Sequence, residues 1–389
     1  MNQGKYVFSQ LISLLSHKKF QTIVKRHKGD FKVKDFTCWK QFLCMCFGQL
    51  THRESLSDTI LCLKANEDKT YHLGIGSVVS KSTLSTANEN RSFRIYFDLA
   101  MLLIKEAKEL YVGHNDLEVS FENNVFAIDA TTIDVCLSTF YWATFRSNKG
   151  GIRLHTQLDL RTAIPEFIYI TPASVHEVHA LDIIHVENNS FYIMDRGYVD
   201  LKRLYRIDQQ NAFFITRLKD KMRWRRIQSF PADKENGVLC DQSILWNHHY
   251  ASKDYPQKIR RIKIYDSQSQ KTFVFLTNNF TIKATEVAIL YKHRWKIELF
   301  FKWIKQHLKI KSFWGQSQNA VKTQIWIAIS TYALIAIAKK RFILPQSLYE
   351  IIQIISISIF EKTSLTHLFQ QTQKQYFKEQ KDNQLEMFD

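Results

Sequence analysis

The chain has 389 residues, 45% of them hydrophobic and 13% aromatic, with only 11 Gly and 5 Pro. That composition excludes a wholly disordered or collagen-like polypeptide and leaves room for about two to four domains. Its 54 basic and 37 acidic side chains give a net charge of +17, which points to a polyanionic partner, either nucleic acid or an anionic membrane face. The longest strongly apolar run without charge, 325–338, is shorter than the roughly 20 residues of a spanning helix. The start, MNQGKYVFSQ, has no signal-peptide core. A cytoplasmic protein with no membrane partner is expected. The six cysteines show no CxxC pair and no zinc-type His spacing, and read as reduced, mostly buried thiols.

The charge is unevenly spread. Residues 121–200 carry 5 basic and 10 acidic groups, whereas 201–280 carry 16 and 7, and 281–344 carry 12 and 2. Carboxylates able to hold cations thus lie next to a surface able to neutralise phosphates. In chain order, residues 1–112 read as helical, from apolar positions at three- and four-residue spacing such as Phe8, Leu11, Ile12 and Leu15. Within them, residues 74–91 read as a glycine turn with Ser77 or Ser80 as N-cap. A short polar helix follows, presenting Lys81, Ser82, Thr83, Ser85, Asn88 and Arg91, a pattern resembling the second half of a helix-turn-helix. An ordinary surface helix fits it equally well.

At Val125 the pattern turns to β-rich runs: VFAIDATTI, IRLHTQLDL, EFIYITPA, FYIMDRG and AFFITRL. Helices are expected around 176–186 and 199–209, so this is a mixed α/β core. A second strand-rich stretch occupies 219–279. Helices resume over 281–311 and 320–340, and a last one at 348–360 precedes a Gln/Lys-rich end.

Three carboxylates stand out. Asp129 sits mid-strand among apolar residues, where an unpaired carboxylate is costly and a metal or basic partner is expected. Asp195 closes the FYIMDRG strand, at the edge where open α/β sheets bind ligands. Glu298 is one of two acidic residues in 281–344. On a helix, Tyr291, Arg294, Glu298 and Lys305 fall within about 60° of one another. The bland alternative is an i, i+4 ion-pair ladder worth a few tenths of a kcal/mol. A lone carboxylate in a basic strip suits a metal held beside phosphates. His176, His179 and His185 do not share one helical face, so they make a poor metal site.

The pattern Tyr291-x2-Arg294-x3-Glu298-x6-Lys305 resembles, position for position, the Tyr/Arg/Glu/Lys signature of a large family of bacterial insertion-sequence transposases. The Asp129 strand and Asp195-Arg196-Gly197-Tyr198 resemble the other two catalytic regions of those DDE enzymes. The resemblance implies an RNase H-like catalytic core interrupted by a β-rich insertion, with a helical N-terminal domain. Its divisions would be 1–120 (helical, DNA-binding), 121–218 (core, first part), 219–279 (insertion), 280–344 (core, second part) and 345–389 (helical region and polar tail). It implies that Asp129, Asp195 and Glu298 are catalytic and hold two Mg²⁺ ions (or Mn²⁺), and that Tyr291, Arg294 and Lys305 bind DNA. The partners implied are the element's own double-stranded ends, target DNA, and a second copy of the chain. Excision would run through a DNA hairpin, and a base flipped out in that step would stack on an aromatic ring; Trp246 and Trp295 both qualify. A catalytically silent DNA-binding protein of this fold, or a nuclease without strand transfer, are the alternatives the sequence leaves open.

Overall fold

The computed structural model describes residues 4–113, 115, 117, 123–146, 149–308, 310 and 313–370; the Gln/Lys-rich end beyond 370 lies outside them. The chain divides into two compact units, one from Met1–Val112 and Lys302–Asp389, the other Gly113–Phe301.

The N-terminal helices are α1 (Val7–Ile12), α2 (His17–Arg26), α3 (Cys38–Leu50), α4 (Leu56–Lys64), α5 (Glu67–Thr70), α6 (Lys81–Asn90) and α7 (Arg94–Leu110). Hydroxyls of Ser16, Thr37, Ser55 and Ser80 accept the third-residue amides of α2, α3, α4 and α6, which ends the competition for those orphan donors. The second unit runs β1 (Val125–Val135), β2 (Thr144–Arg146), β3 (Lys149–Asp159), β4 (Pro165–Pro172), β5 (Phe191–Met194), α8 (Leu201–Gln209) and β6 (Phe213–Arg217). It continues through β7 (Trp224–Phe230), β8 (Val238–Trp246), α9 (His249–Asp254), β9 (Ile259–Asp266), β10 (Lys271–Thr277) and α10 (Ala284–His293). Helix α11 (Trp295–His307) begins in this unit and ends in the first, which is completed by α12 (Gln318–Arg341) and α13 (Leu348–Ser358).

Helix α12 organises the first unit, packing against α7, α3, α6 and α13. By length and composition it could cross a membrane, but 94% of its most apolar window is buried inside the protein. An all-round apolar helix is what a core position selects. Cys38, Cys44 and Cys46 are buried and unbridged here, and burial pushes each thiol up to about 12.

The polar face expected on α6 is only partly exposed. Asn88 is 2% exposed and accepts from Gln41 at 2.8 Å, while Asn319 donates to its carbonyl at 2.9 Å. Arg91 turns inward too, donating to Gln41 and to the Phe36 carbonyl. Amides and a guanidinium that satisfy one another can be buried at little net cost.

In the second unit the strands form one sheet in the order β2-β3-β1-β5-β6-β10-β9-β8-β7, with β4 on β3. β1 runs antiparallel to β3 and parallel to β5, and β5 parallel to β6. The strands expected as an insertion, β7 to β10, extend this same sheet, because β10 pairs antiparallel with β6. A buried pair fastens that extension: Arg260 donates to Asp241 at 2.9 and 2.6 Å and to the Ile282 carbonyl at 2.7 Å.

Two helical expectations change. The stretch 176–186 contains only a 3-10 turn, Glu177–Asp182. The single helix expected over 281–311 is broken at Arg294 into α10 and α11. There the Arg294 amide bonds Tyr291 O and the Ile297 amide bonds Arg294 O, both at 3.1 Å. These are three-residue steps that tighten the helix locally.

Candidate active site

β1 and β5 are neighbouring parallel strands whose last paired residues are Ile128 and Met194. Asp129 and Asp195 each come immediately after these, so the sheet sets two carboxylates side by side at the carboxyl end of β5, where α/β sheets place ligands, although β1 itself runs on to Val135. Beneath them lie Phe126, Ile128, Tyr192, Met194 and Phe214, all buried in one apolar cluster. Asp195 is fixed locally: its Oδ1 accepts from the Gly197 amide at 2.5 Å, and Thr216 donates to its carbonyl at 3.0 Å.

Arg294 brings in the third carboxylate. Nη1 donates to Asp129 Oδ2 at 3.1 Å and Nη2 to Glu298 Oε1 at 2.5 Å. The break between α10 and α11 falls at this residue. Asp129 and Arg294 are 17% and 16% exposed, Glu298 32%. Burial pushes the Asp129 carboxyl up to about 6, against the Ala130 amide and Arg294, and the charges of Asp195 and Glu177 add to the rise. Tyr291 lies under the guanidinium, its ring centroid 5.8 Å from Arg294 Cζ and 4.9 Å from the Phe275 ring. Lys305 is farther along α11, in the first unit.

Sequence reading missed two residues. Glu177 opens the 3-10 turn and pairs with Arg153 at 3.7 Å. Tyr198 is fully buried, and among the described residues its hydroxyl has no hydrogen-bond partner. Burial, and then the charges of Asp129, Glu177 and Asp195, raise its phenol. No periodicity marks either residue; the only hints are the acidic block around Glu177 and the Asp-Arg-Gly-Tyr motif.

Among the described residues, no three His, Cys, Asp or Glu side chains stand close enough to form a ready-made metal cluster. Arg294 supplies the physical reason, because its fork lies between Asp129 and Glu298. The donor set nevertheless fits a hard divalent cation. It consists of carboxylate oxygens, one of them with a proton affinity raised by burial and then by negative neighbours, beside a buried hydroxyl with no partner among the described residues. His176 caps the 3-10 turn, and His179 lies 3.5 Å from Asp182. Of the two tryptophans, Trp246 is 4% exposed in the core and Trp295 58% exposed beside Arg294.

A sheet edge with paired aspartates and a helix-borne Arg/Glu couple defines a class. The family described as a transposase DDE domain matches residues 120–334, more than half of the 389-residue chain, and the chain belongs to that family. Residues 3–76 match a second family, described as a domain of unknown function. A Sinorhizobium fredii protein named as transposase y4zB is 31% identical over 229 residues, 58% of this chain and 64% of its own length. A Geobacillus stearothermophilus protein, named as the transposase for insertion sequence element IS5377, is 24% identical over 221 residues, 55% of this chain and 56% of its own. A Synechocystis protein named as the transposase for element IS4SA is 23% identical over 308 residues, 75% and 81% of the two chains. The chain thus spans less than two thirds of the first two relatives. Among solved structures, a piggyBac transposase synaptic complex with hairpin DNA aligns over 98% of this chain and 86% of its own, with TM-score 0.46 and 10% identity. That likeness is too low to bear on fold or function.

Proposed function

We propose that the chain is a DNA transposase that excises and inserts its own insertion sequence. In this reading the sheet is an RNase H-like core, and α1 to α7 form a DNA-binding domain. The single observation that carries it is the Arg294 fork, which joins Glu298 to Asp129, 165 positions before Arg294, in a chain of the DDE transposase family. Asp129, Asp195 and Glu298 would hold Mg²⁺ or Mn²⁺. Two such ions supply Lewis-acid stabilisation of the attacking and leaving oxygens in phosphodiester transfer. The chain's own residues do the rest. The carboxyl edge of β1 and β5 fixes where the phosphorus lies. Arg294, whose fork holds Asp129 and Glu298 here, would turn to a phosphate oxygen once those carboxylates take the cations. Tyr291 and Lys305 would bind phosphate too, as hydroxyl donor and cation. A water oxygen would attack phosphorus and break its bond to the 3′-oxygen; the freed 3′-hydroxyl would then attack a phosphorus of the opposite strand, closing a hairpin as that phosphorus loses its bond to the flanking 3′-oxygen, which leaves as a 3′-hydroxyl. Basic β7 to β10, with exposed Arg225 and Arg226 on the edge strand, would grip end DNA. Two copies would pair two ends.

The test is a cleavage assay on the element's own ends with Mg²⁺, comparing wild type with Glu298→Ala. Nicks and hairpins that disappear in the variant are expected. Salt-sensitive binding without metal-dependent cutting by either protein would favour a silent DNA-binding role. Cutting that survives Glu298→Ala would refute the assignment of the site.

A further inference from the structure

More negative oxygen is gathered at the carboxyl edge of β1 and β5 than the Arg294 fork accounts for. A Cβ built on Gly197 would lie 2.8 Å from Asp195 Oδ1 and 4.0 Å from Glu177 Oε2. The two carboxylates therefore both lie against the Gly197 Cα, where the missing side chain lets them approach. Both also act electrostatically on Asp129. Arg153 reaches Glu177 through Oε1, at 3.7 Å, so Oε2 is the oxygen turned towards Gly197 and Asp195. Three carboxylates in mutual range repel unless a cation enters.

Tyr198 is an independent sign that something enters. Its side chain is 0% exposed and its hydroxyl has no partner among the described residues, although the charges of all three carboxylates reach it. Leaving a buried hydroxyl unpaired costs about 1–3 kcal/mol, and native chains rarely retain that cost without use. A phenol that donates once an ordered water or a reoriented carboxylate oxygen arrives would recover it.

We infer that Glu177 and Tyr198 are positioning residues of the cation site, Glu177 accepting hydrogen bonds from the cation's retained waters and Tyr198 donating to an oxygen that cation binding brings into reach. Mg²⁺ and Mn²⁺ keep several waters when few carboxylates hold them directly, and those waters need acceptors. The inference rests on the transposase reading and adds to it a residue from the turn after β4. Substitution of such outer partners weakens metal affinity about 10–100-fold.

The experiment titrates MnCl₂ into the full chain by calorimetry, alongside thermal unfolding in EDTA, for wild type, Glu177→Gln, Glu177→Asp, Tyr198→Phe and Asp195→Asn. Expected are an affinity loss of about 10-fold or more in Glu177→Gln, partial rescue in Glu177→Asp, and a loss of about 3- to 10-fold in Tyr198→Phe. In EDTA, Glu177→Gln should unfold no earlier than wild type, since like-charge repulsion is relieved. A purely structural Glu177, serving only Arg153, would instead lower the EDTA unfolding temperature and leave Mn²⁺ affinity unchanged, which overturns the inference. Wild-type affinity in both Glu177→Gln and Tyr198→Phe, with loss in Asp195→Asn, removes these two residues and leaves the transposase reading standing. A wild-type chain that binds no Mn²⁺ overturns the cation site itself.

Discussion

Replacing Arg260 with methionine gives the most direct measure of how the β7–β10 extension is tied to the elements that carry Arg294. The Arg260 and Asp241 side chains are 7% and 5% exposed and meet through two hydrogen bonds, at 2.9 and 2.6 Å. Arg260 also donates to the carbonyls of Ile282 at 2.7 Å and Asn279 at 3.3 Å, in the link from β10 to α10. Arg260→Met strands a buried carboxylate and takes the donor from two carbonyls, so a loss of about 3–5 kcal/mol is expected. Adding Asp241→Leu removes the stranded charge and leaves only the carbonyls, so the double variant should lie within about 1–2 kcal/mol of wild type. Urea unfolding followed by circular dichroism reads both, and the cycle isolates the pair. A single variant that loses less than about 1 kcal/mol, the range of an exposed pair, would refute the reasoning. So would a double variant as unstable as the single.

Two further outcomes are expected. His155 is 1% exposed, and burial, followed by the charges of Arg153 and His179, pushes its imidazole down to about 4. The folded chain therefore keeps it neutral while the unfolded chain protonates near 6.5, so stability is complete above that value and is lost as pH falls towards 4. Between pH 7 and 5 this amounts to about 2 kcal/mol, and His155→Leu should flatten the slope of stability against pH by that amount; an unchanged slope would exclude His155 as the source. Gly197→Ala would put a methyl 2.8 Å from Asp195 Oδ1, so metal-dependent cutting should fall by about 10-fold or more while unfolding temperature barely moves. Full activity in that variant would show that the Asp195 carboxylate tolerates displacement.

Much of this was legible from residue order. The apolar runs around Asp129 and before Asp195 mark strands because burial is a local property: Asp129 lies within β1 and Asp195 just beyond the end of β5. The four-residue Tyr/Arg/Glu/Lys pattern stands out because helical spacing is local too. What sequence did not show depends on partners remote in the chain. Arg294 turns to Asp129, 165 positions away, and the helix breaks there. Asn88 and Arg91 read as surface residues because nothing nearby in sequence announces Gln41 or Asn319. Glu177 lies on a turn, where no period exists to give it a face. The β7–β10 strands read as a separate insertion because strand pairing with β6 is fixed by register across the sheet and not by composition.

The distance in sequence between Asp129 and Arg294 also has a meaning in time. At roughly 5–20 residues per second, a ribosome that has just made Asp129 needs on the order of 10–30 s to deliver the arginine 165 positions later. Once β7 has been made, the nascent chain holds both aspartates and the basic edge strand but still lacks Arg294 and Glu298. A product that stops anywhere within β7 to β10 would share this composition permanently. It could meet DNA electrostatically and still lack the arginine and third carboxylate of the proposed centre, so the order of the segments delays that centre until α11 has been made.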